Sequence, residues 1–351
     1  RELAEAGWTV EGKSRSLSLK GPLSGKRVWT FFTAVPAAAG RDPKALARVR
    51  SFSREEPCVY PTLRCSQDCV FCSSPGEGRE QTADEVEALV SRGGPVLSIE
   101  GGEPTLLLRR GLPALAAAAK AAGTRDIVLC TNGAALERPA AVRLLLEAGV
   151  TEFNVNLPAH EAALFDSLTR TRGRFPRRVA AVRNILAAAG PGRTRLSCVV
   201  NSRNAAQLPA WAAWAGAAFP GLRHVSFNLV KVLGHVRRDT SLVPRLSDAA
   251  PPLRAALAVC RERGLRAYVD GVPLCQLEGF EDCSIDLQKL PGGDYSHAFE
   301  KTHRAVCGPC TLRALCAGPR EDYLALYGDG ELAASARAPR RIPRPPGHGR
   351  R

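Results

Sequence analysis

The sequence lacks the run of about 18 uninterrupted apolar residues that a membrane-spanning helix needs. Even the alanine-rich stretch from Leu112 to Gly123 is interrupted by Lys120. The first residues, Arg1-Glu2-Leu3, also lack the charged and apolar regions of a secretory signal. We therefore expect a cytoplasmic protein without a membrane partner, in which cysteines stay reduced.

Methionine is absent, and aromatic residues make up only 6% of the 351 residues. The missing methionine means that residue 1 is not a native initiator, which says nothing about function. Sparse aromatic residues argue against binding of single-stranded nucleic acid, because such proteins stack bases on aromatic side chains. Acidic residues are outnumbered, with 34 Asp and Glu against 49 Lys and Arg. The net charge of +15 favours acidic partners in general, but it is spread along the chain.

Cysteine, in contrast, is plentiful, with twelve in the chain. In a cytoplasmic protein this number indicates metal ligands or catalytic thiols more than disulfides. Eight of them fall into two groups: Cys65, Cys69 and Cys72, and Cys275, Cys283, Cys307, Cys310 and Cys316. The isolated four fit small buried hydrophobic side chains: Cys58, Cys130, Cys198 and Cys260.

Short apolar runs alternate with helical patterns from residue 58 onward. Strands are predicted at Cys58–Leu63, Val96–Glu100, Ile127–Thr131, Glu152–Leu157, Arg195–Val200 and His224–Val230. Helices are predicted at Thr82–Ser91, Leu112–Ala122, Pro139–Ala148, Arg177–Ala189, Gln207–Ala218 and Ala249–Glu262. Short connections predict a parallel sheet, because each crossover helix returns the chain in the same direction. The fold class is therefore α/β, as a partial (β/α)6 barrel, since a closed barrel needs eight units.

Four segments are predicted along the chain. Residues 1–50 alternate polar and apolar residues and predict a small β extension, and residues 51–264 form the partial barrel. Residues 265–331 are rich in glycine, proline and cysteine and predict a second, metal-organised module. Residues 332–351 form a basic, proline-rich tail that we expect to be disordered.

The strongest chemical signal is Cys65-Ser-Gln-Asp-Cys69-Val-Phe-Cys72, directly after the first strand of the repeating region. Three thiolates at this spacing can converge on one metal centre, and a [4Fe-4S] cluster held by three ligands keeps one iron open. A structural zinc site, the alternative, needs a fourth ligand nearby. No Cys or His lies between Cys72 and Cys130, so the motif favours a cluster.

This CxxxCxxC motif after the first strand resembles that of the radical S-adenosylmethionine (SAM) superfamily. Gly101-Gly102-Glu103-Pro104 ends the second strand and resembles the GGEP motif, which in that family holds the SAM amino group. Thr131-Asn132-Gly133 is similar to the TNG that often lines the same cavity. The resemblance implies a [4Fe-4S] cluster, SAM on its open iron, cleavage of SAM to a 5′-deoxyadenosyl radical, and an electron donor of flavodoxin or ferredoxin type.

Further residues near the strand ends are candidates for the SAM site. Asn154 and Asn156 share one face of the fourth strand, where ordinary strand-end hydrogen bonding is an equal alternative. Arg170 and Arg172 suit the SAM carboxylate, or else form a solvated basic surface. Asn201 follows the fifth strand, where adenine contacts often lie in the family that the sequence resembles.

Cys307-Gly-Pro-Cys310 and Cys316 resemble the CxxCxxxxxC core of the SPASM and twitch modules of radical SAM enzymes. Pro319 lies near the position of a further SPASM cysteine, which favours the twitch form with one auxiliary [4Fe-4S] cluster and Cys275 as its fourth ligand. A four-cysteine zinc site is the alternative. Cys283 is an alternative ligand, a catalytic thiol or a bystander.

Modules of this kind most often accompany modification of ribosomally made peptides. The resemblance therefore implies an oxidoreductase that cross-links, epimerises or otherwise oxidises a peptide residue, with Trp8, Val10 and Leu19 as candidate contacts to a leader peptide. Those residues equally suit a sheet that caps the barrel. The alternatives are a radical SAM enzyme of cofactor or natural-product biosynthesis, with a small-molecule substrate, and a zinc-stabilised nucleic-acid-binding protein.

Overall fold

The computed structural model describes residues 57–74, 80–289 and 300–338, and the backbone of two short strands nearer the start of the chain. The chain divides into two compact units, residues 1–51 and residues 52–351. In the first unit, β1 (Trp8–Thr9) pairs antiparallel with β2 (Val35–Pro36). Val10 and Leu19, the other candidate contacts to a leader peptide, lie outside the described residues.

The second unit is built on a seven-stranded parallel sheet whose strands follow one another in chain order. They are β3 (Cys58–Val59), β4 (Val96–Ile99), β5 (Asp126–Thr131), β6 (Glu152–Asn156), β7 (Thr194–Val200), β8 (His224–Leu229) and β9 (Ala267–Asp270). Each strand pairs only with its neighbours, and β3 and β9 lie at the two edges. All carboxyl ends therefore point to one side, and the predicted α/β class with a parallel sheet is confirmed.

Helices connect the strands and cover one face of the sheet. They are α1 (Ala83–Val90), α2 (Leu112–Ala121), α3 (Pro139–Ala148), α4 (Ala162–Thr169), α5 (Phe175–Ala189), α6 (Leu208–Ala218), α7 (Leu246–Glu262), α8 (Ile285–Lys289) and α9 (Glu321–Tyr327). Thr82 and Glu85 form a capping box that starts α1. Proline in the first turn of α2, α3, α5 and α6 costs no hydrogen bond, because those N–H groups have no partner in a helix.

The two faces of the sheet differ in polarity because side chains alternate along each strand. In β6, Phe153 and Val155 are fully buried under the helices, whereas Asn154 and Asn156 are half-buried on the other face. In β8, the buried Val225, Phe227 and Leu229 alternate in the same way with half-buried polar residues. The sheet thus has an apolar face that forms the core and a polar face that continues to the carboxyl ends.

The sheet has one strand more than the six that the sequence predicts. β9 begins after residue 264, inside the segment assigned to the second module, and it pairs with β8 through Asn228 and Asp270. The first strand is shorter than predicted, because beyond Val59 the chain turns and offers its carbonyls to the end of β4 instead. Helix α4 was not predicted either.

Part of the predicted disordered tail is held in place. Leu332 is buried, and the N–H of Thr311 donates to the carbonyl of Ser335 at 2.9 Å. The Thr311 hydroxyl donates to the carbonyl of Arg337 at 2.6 Å. The segment from 332 to 338 therefore belongs to the folded unit, while the rest of the tail lies outside the described residues. Within the described part of the chain, we find no helix whose length and hydropathy suit a membrane crossing.

Candidate functional site

The three clustered cysteines lie on one loop, residues 62–73, which we call the cysteine loop and which leaves the carboxyl end of β3. Cys65 is exposed, and Cys69 and Cys72 are half-buried. The N–H of Cys72 donates to the carbonyl of Cys69 at 2.9 Å, which turns the chain between these two residues. Burial raises the pKa of the Cys69 thiol to about 12, and the neighbouring Cys65 and Cys72 thiols act in the same direction. The three sulfurs are thus close enough to influence one another.

Among the described residues, no three His, Cys, Asp or Glu side chains are gathered tightly enough to enclose a single metal ion. A four-iron cluster has a different requirement, because each cysteine binds a different iron. The donor set of three thiols on one loop at the open end of a sheet fits that requirement. Cys65, Cys69 and Cys72 would hold such a cluster.

Gly101 and Gly102 allow the cysteine loop to lie against the end of β4. The N–H of Gly102 donates to the carbonyl of Thr62 at 2.9 Å, and the N–H of Glu103 donates to that of Arg64 at 2.8 Å. A Cβ on Gly102 would lie 2.2 Å from the Arg64 carbonyl oxygen, and Gly101 has a φ of +115° that favours glycine. The two glycines therefore make room for the backbone of the cysteine loop. The sequence had suggested that they make room for a bound ligand.

Glu103 is fully buried, and its carboxylate accepts four hydrogen bonds from neighbouring protein groups. The donors are the N–H and hydroxyl of Thr105 at 3.0 and 2.5 Å, the hydroxyl of Thr131 at 2.6 Å, and the N–H of Asn132 at 2.5 Å. Pro104 follows as the first residue of a short 3-10 turn. Glu103 thus joins the ends of β4 and β5. The resemblance implied that its carboxylate binds the SAM ammonium, but all of its described partners are groups of the protein itself.

Asn132 connects the end of β5 to the cysteine loop. Its amide nitrogen donates to the hydroxyl of Ser66 at 3.0 Å and approaches the sulfur of Cys65 at 3.6 Å. Its amide oxygen accepts from the N–H of Ala134 at 2.9 Å. Asn132 therefore contacts the cysteine loop directly, beside Cys65. Thr131 is linked to the loop through its hydrogen bond to Glu103.

Arg178, in α5, is a buried cation beside this loop that sequence reasoning missed. It is 2% exposed, it donates to the carbonyl of Asn156, and it lies 5.2 Å from the ring centre of Phe165. Burial lowers the pKa of its guanidinium to about 10, while the nearby Glu103 and Cys69 act in the opposite direction. A desolvated arginine at this place is suited to bind a carboxylate.

Asp68, between Cys65 and Cys69, is held from two sides. Arg170 donates to one carboxylate oxygen at 2.7 Å, and the ring nitrogen Nε2 of His235 lies 2.5 Å from the other. Hydrogen bonds from Arg170 and His235 lower the pKa of the Asp68 carboxyl. Arg170, which the sequence offered to SAM, therefore pairs with the cysteine loop.

The remaining predicted SAM-site residues are placed differently from one another. Asn154 accepts from the Ser197 hydroxyl at 2.5 Å on the polar face of the sheet, next to the half-buried Asn156. Asn201 is fully buried, and its amide bonds the Val199 carbonyl and the Arg203 N–H within its own turn. Arg172 is exposed. Of this group, only the two strand asparagines lie on the open polar face.

Four cysteines of the second group lie around one cavity. Cys275, Cys307, Cys310 and Cys316 line one small, largely apolar cavity, although 41 residues of chain separate the first from the last. We call them the second cysteine site. Burial raises the pKa of the Cys275 thiol, with Cys307 and Cys310 acting in the same direction.

Backbone N–H groups point at two of these sulfurs. Ser335 donates to the sulfur of Cys310 at 3.3 Å, and Gly318 donates to that of Cys316 at 3.3 Å. Hydrogen bonds to sulfur are a feature of cysteines that ligate iron–sulfur clusters, where they tune the reduction potential. Four thiols that line one apolar cavity therefore fit a closed cluster, in which each cysteine binds a different iron, whereas a single zinc ion would need the four sulfurs to lie closer together than they do.

Cys283 does not line that cavity. Burial raises the pKa of its thiol to about 12, and its neighbours are Asp282, Arg261 and Cys260. It is half-buried in a short 3-10 turn after β9. The structure therefore places it apart from the other four cysteines of its group.

The comparisons with known proteins agree with this arrangement. Residues 59–214 match the family model of the radical SAM superfamily, and the matched stretch includes the cysteine loop, the Gly101–Pro104 motif and Arg178. A GTP 3',8-cyclase of Xanthomonas axonopodis pv. citri (strain 306) is 38% identical over 149 residues, 41% of this chain and 42% of the relative. An Fe-coproporphyrin III synthase of Methanosarcina barkeri (strain Fusaro / DSM 804) is 32% identical over 184 residues, 49% of this chain and 44% of the relative.

These alignments cover less than half of the length of either curated relative. Among solved structures, native anSMEcpe with bound AdoMet aligns with a TM-score of 0.51 and 15% identity, over 74% of this chain and 70% of that chain. The anSMEcpe structure with AdoMet and the Kp18Cys peptide aligns with a TM-score of 0.50 and 14% identity, over the same shares. At such identities the structural likeness shows the fold alone.

Proposed function

We propose that this chain, whose residues 59–214 match the radical SAM superfamily, is an enzyme that cleaves SAM reductively and abstracts a hydrogen atom from a substrate. The observation that carries the proposal is the cysteine loop, which holds three thiols at the carboxyl end of the sheet. When bound there, a [4Fe-4S] cluster and SAM supply one-electron cleavage of a carbon–sulfur bond to a 5′-deoxyadenosyl radical. The protein's part is to orient the reactants and to exclude water.

The SAM carboxylate has a suitable partner beside the loop. Arg174, Arg177 and Arg178 line a cavity together with Ser66 and Gln67 of the cysteine loop. Arg177 already pairs with Glu137 at 3.4 Å on the surface, whereas Arg178 is buried and is next to the cysteines. We assign the carboxylate to Arg178, because a desolvated guanidinium binds an anion more strongly than an exposed one.

The second cysteine site suits an auxiliary [4Fe-4S] cluster with four protein ligands, Cys275, Cys307, Cys310 and Cys316. Its support is the shared cavity and the two N–H groups that point at sulfur. When bound by these four cysteines, a cluster would supply a one-electron acceptor for a net oxidation of the substrate. Zinc at the same four thiols, which would have to draw the sulfurs closer together, is the alternative.

For the substrate we propose a small molecule of cofactor or natural-product biosynthesis. The curated relatives, a GTP 3',8-cyclase and an Fe-coproporphyrin III synthase, are named for reactions of small molecules, and this supports the choice. A peptide substrate, which the sequence suggested first, stays a hypothesis. A binding assay with the neighbouring short open reading frames of the same genome, expressed as peptides, would test it.

The first experiment is anaerobic reconstitution with iron and sulfide, followed by addition of dithionite and SAM. We expect about eight irons per chain, since each of two [4Fe-4S] clusters carries four, and formation of 5′-deoxyadenosine. Cys198→Ala is a matched control, because Cys198 is fully buried in the apolar core and belongs to neither group of cysteines. Protein that binds only zinc and yields no 5′-deoxyadenosine would overturn the proposal and favour a structural metal protein.

A further inference from the structure

Residues 331–338 run across the second cysteine site, and we call this segment the strap. It lies within the described residues and contains no helix or strand, since α9 ends before it at Tyr327. Leu332 and Ala333 line the cavity that the four cysteines share. The N–H of Ser335 donates to the sulfur of Cys310 at 3.3 Å. The strap therefore forms one wall of the second cysteine site.

Glu331 fastens the start of the strap. Its carboxylate accepts hydrogen bonds from the guanidinium of Arg245 at 3.3 Å, from the N–H of Ser247 at 3.2 Å and from the hydroxyl of Tyr323. The side chain of Glu331 is 13% exposed, and the neighbouring Leu332 is buried. The strap is thus attached at this end to the start of α7 and to α9.

Thr311 and Glu281 fasten the other end of the strap. The Thr311 hydroxyl donates to the carbonyls of Ser335 at 2.8 Å and Arg337 at 2.6 Å. The guanidinium of Arg337 pairs at 2.9 Å with the carboxylate of Glu281, whose side chain is only 4% exposed. Between the two ends, residues 333 and 334 are exposed alanines. A few polar contacts and the burial of Leu332 therefore hold the strap in place.

The walls on the other side of the cavity are built into the sheet. They lie next to Arg320, which is 2% exposed and donates to the carbonyls of Leu229 and Val230 at the end of β8. They also lie next to Lys301, which is 6% exposed and pairs at 3.2 Å with Asp270 of β9. Moving these walls would break contacts of two strands, whereas the strap can detach without breaking a helix or a strand. Segments with few buried apolar contacts open at the lowest free energy.

We propose that the strap is the gate of the second cysteine site, so that metal reaches or leaves the four cysteines only when the strap is detached. The inference rests on the proposed function in one respect, because the group expected at this site is the auxiliary cluster. On entry each thiol releases its proton to solvent and its sulfur binds one iron, and no electron is transferred. On closure Leu332 covers the site and the N–H of Ser335 bonds a ligand sulfur.

The test measures metal release in the Cys69→Ala background, in which the second cysteine site is the remaining cluster site. Glu331→Ala/Arg337→Ala removes both fastenings of the strap and changes no further cysteine. Bathophenanthroline disulfonate traps released iron under anaerobic conditions, and its absorbance gives the rate. We expect release at least about tenfold faster than from Cys69→Ala alone, which corresponds to about 1.4 kcal/mol in the free energy of strap opening, because charge-assisted hydrogen bonds are lost.

The matched control is Arg304→Ala/Asp329→Ala in the same background. It also removes one cation and one carboxylate, but these two form an exposed ion pair at 3.3 Å just before the strap. We expect this control to release iron at the rate of Cys69→Ala alone. Equal rates for the strap variant and Cys69→Ala would overturn the gate, as would equally fast release from both double variants. If the strap variant does not unfold cooperatively, Arg337→Gln alone is judged by the same criterion.

A separate assay distinguishes failure of the gate from failure of the proposed function. Protein with Cys69 intact is tested for 5′-deoxyadenosine with dithionite and SAM, and no cleavage would overturn the proposed function. The gate is then judged from the release of zinc to a zinc chelator by the same variants. A Cys69→Ala protein that holds neither iron nor zinc would overturn the gate, whatever the outcome of the cleavage assay.

Discussion

Replacement of Gly102 by alanine should displace the cysteine loop while the rest of the fold survives. A Cβ at this position would lie 2.2 Å from the carbonyl oxygen of Arg64 and 2.4 Å from that of Leu63, whereas real contacts are at least 3.0 Å. The loop backbone must therefore move by at least about 0.8 Å, the difference between 2.2 and 3.0 Å. Both obstacles are backbone atoms, so no side-chain rotation relieves them.

The movement threatens the two hydrogen bonds that Gly102 and Glu103 donate to the loop. At about 0.5 to 1.5 kcal/mol each, their loss costs about 1 to 3 kcal/mol, which is less than the 5 to 15 kcal/mol that typically stabilises a domain. The protein should thus stay folded. Misplacement of a reacting group by about 1 Å can cost about 100-fold in rate, so we expect at least that loss in SAM cleavage.

The assay compares iron content, 5′-deoxyadenosine formation with dithionite, and the thermal unfolding midpoint for Gly102→Ala and Gly330→Ala. Gly330 is the control, because a Cβ there meets no atom within 4 Å and its φ is not in the left-handed region. The reasoning is refuted if Gly102→Ala cleaves SAM at the wild-type rate. An unfolded Gly102→Ala protein would equally contradict the energies above.

Three other changes test the assignments of individual residues. Cys69→Ala should abolish 5′-deoxyadenosine formation and leave the unfolding midpoint nearly unchanged, and product from this variant would contradict the ligand assignment. Cys310→Ala should remove roughly half of about eight irons while the loop cluster stays, as judged by iron analysis and electron paramagnetic resonance; unchanged iron would argue against the auxiliary cluster. Arg178→Lys should weaken SAM binding about tenfold or more, because lysine cannot pair bidentately with a carboxylate. Arg177→Lys is its control, and equal SAM affinity in both variants would exclude Arg178 as the carboxylate partner.

The strands could be predicted where they are long and buried. β4 to β8 agree with the predicted ranges to within a residue at either end, because buried apolar residues recur along each strand and the strands alternate with helical patterns. β9 was not predicted because it has only four residues, and two of them, Tyr268 and Asp270, lie on the polar face of the sheet. Helix α4 has only eight residues, too few for a clear helical period, and no helix was predicted there.

The candidate site also has a part that the sequence predicts and a part that it does not. The cysteine ligands and the Gly101–Pro104 motif are local patterns, so spacing alone reveals them. The groups that support them are not local: His235 is 167 residues from Asp68, and Arg178 lies in helix α5, which carries no recognisable motif. Asp68 lies inside the motif and suggests a paired carboxylate, but nothing in the sequence indicates that its partners are Arg170 and His235.

The long-range support of the cysteine loop has a consequence for biosynthesis. A nascent chain that has reached Cys72 carries all three thiols within eight residues, but it has none of the bonds that Arg170 and His235 make to the loop. The loop acquires its bonded shape only after the ribosome has added residue 235. The second cysteine site waits longer still, until Ser335 has been added. The bonded shape of both cysteine sites is therefore complete only late in synthesis, after all of their cysteines have been added.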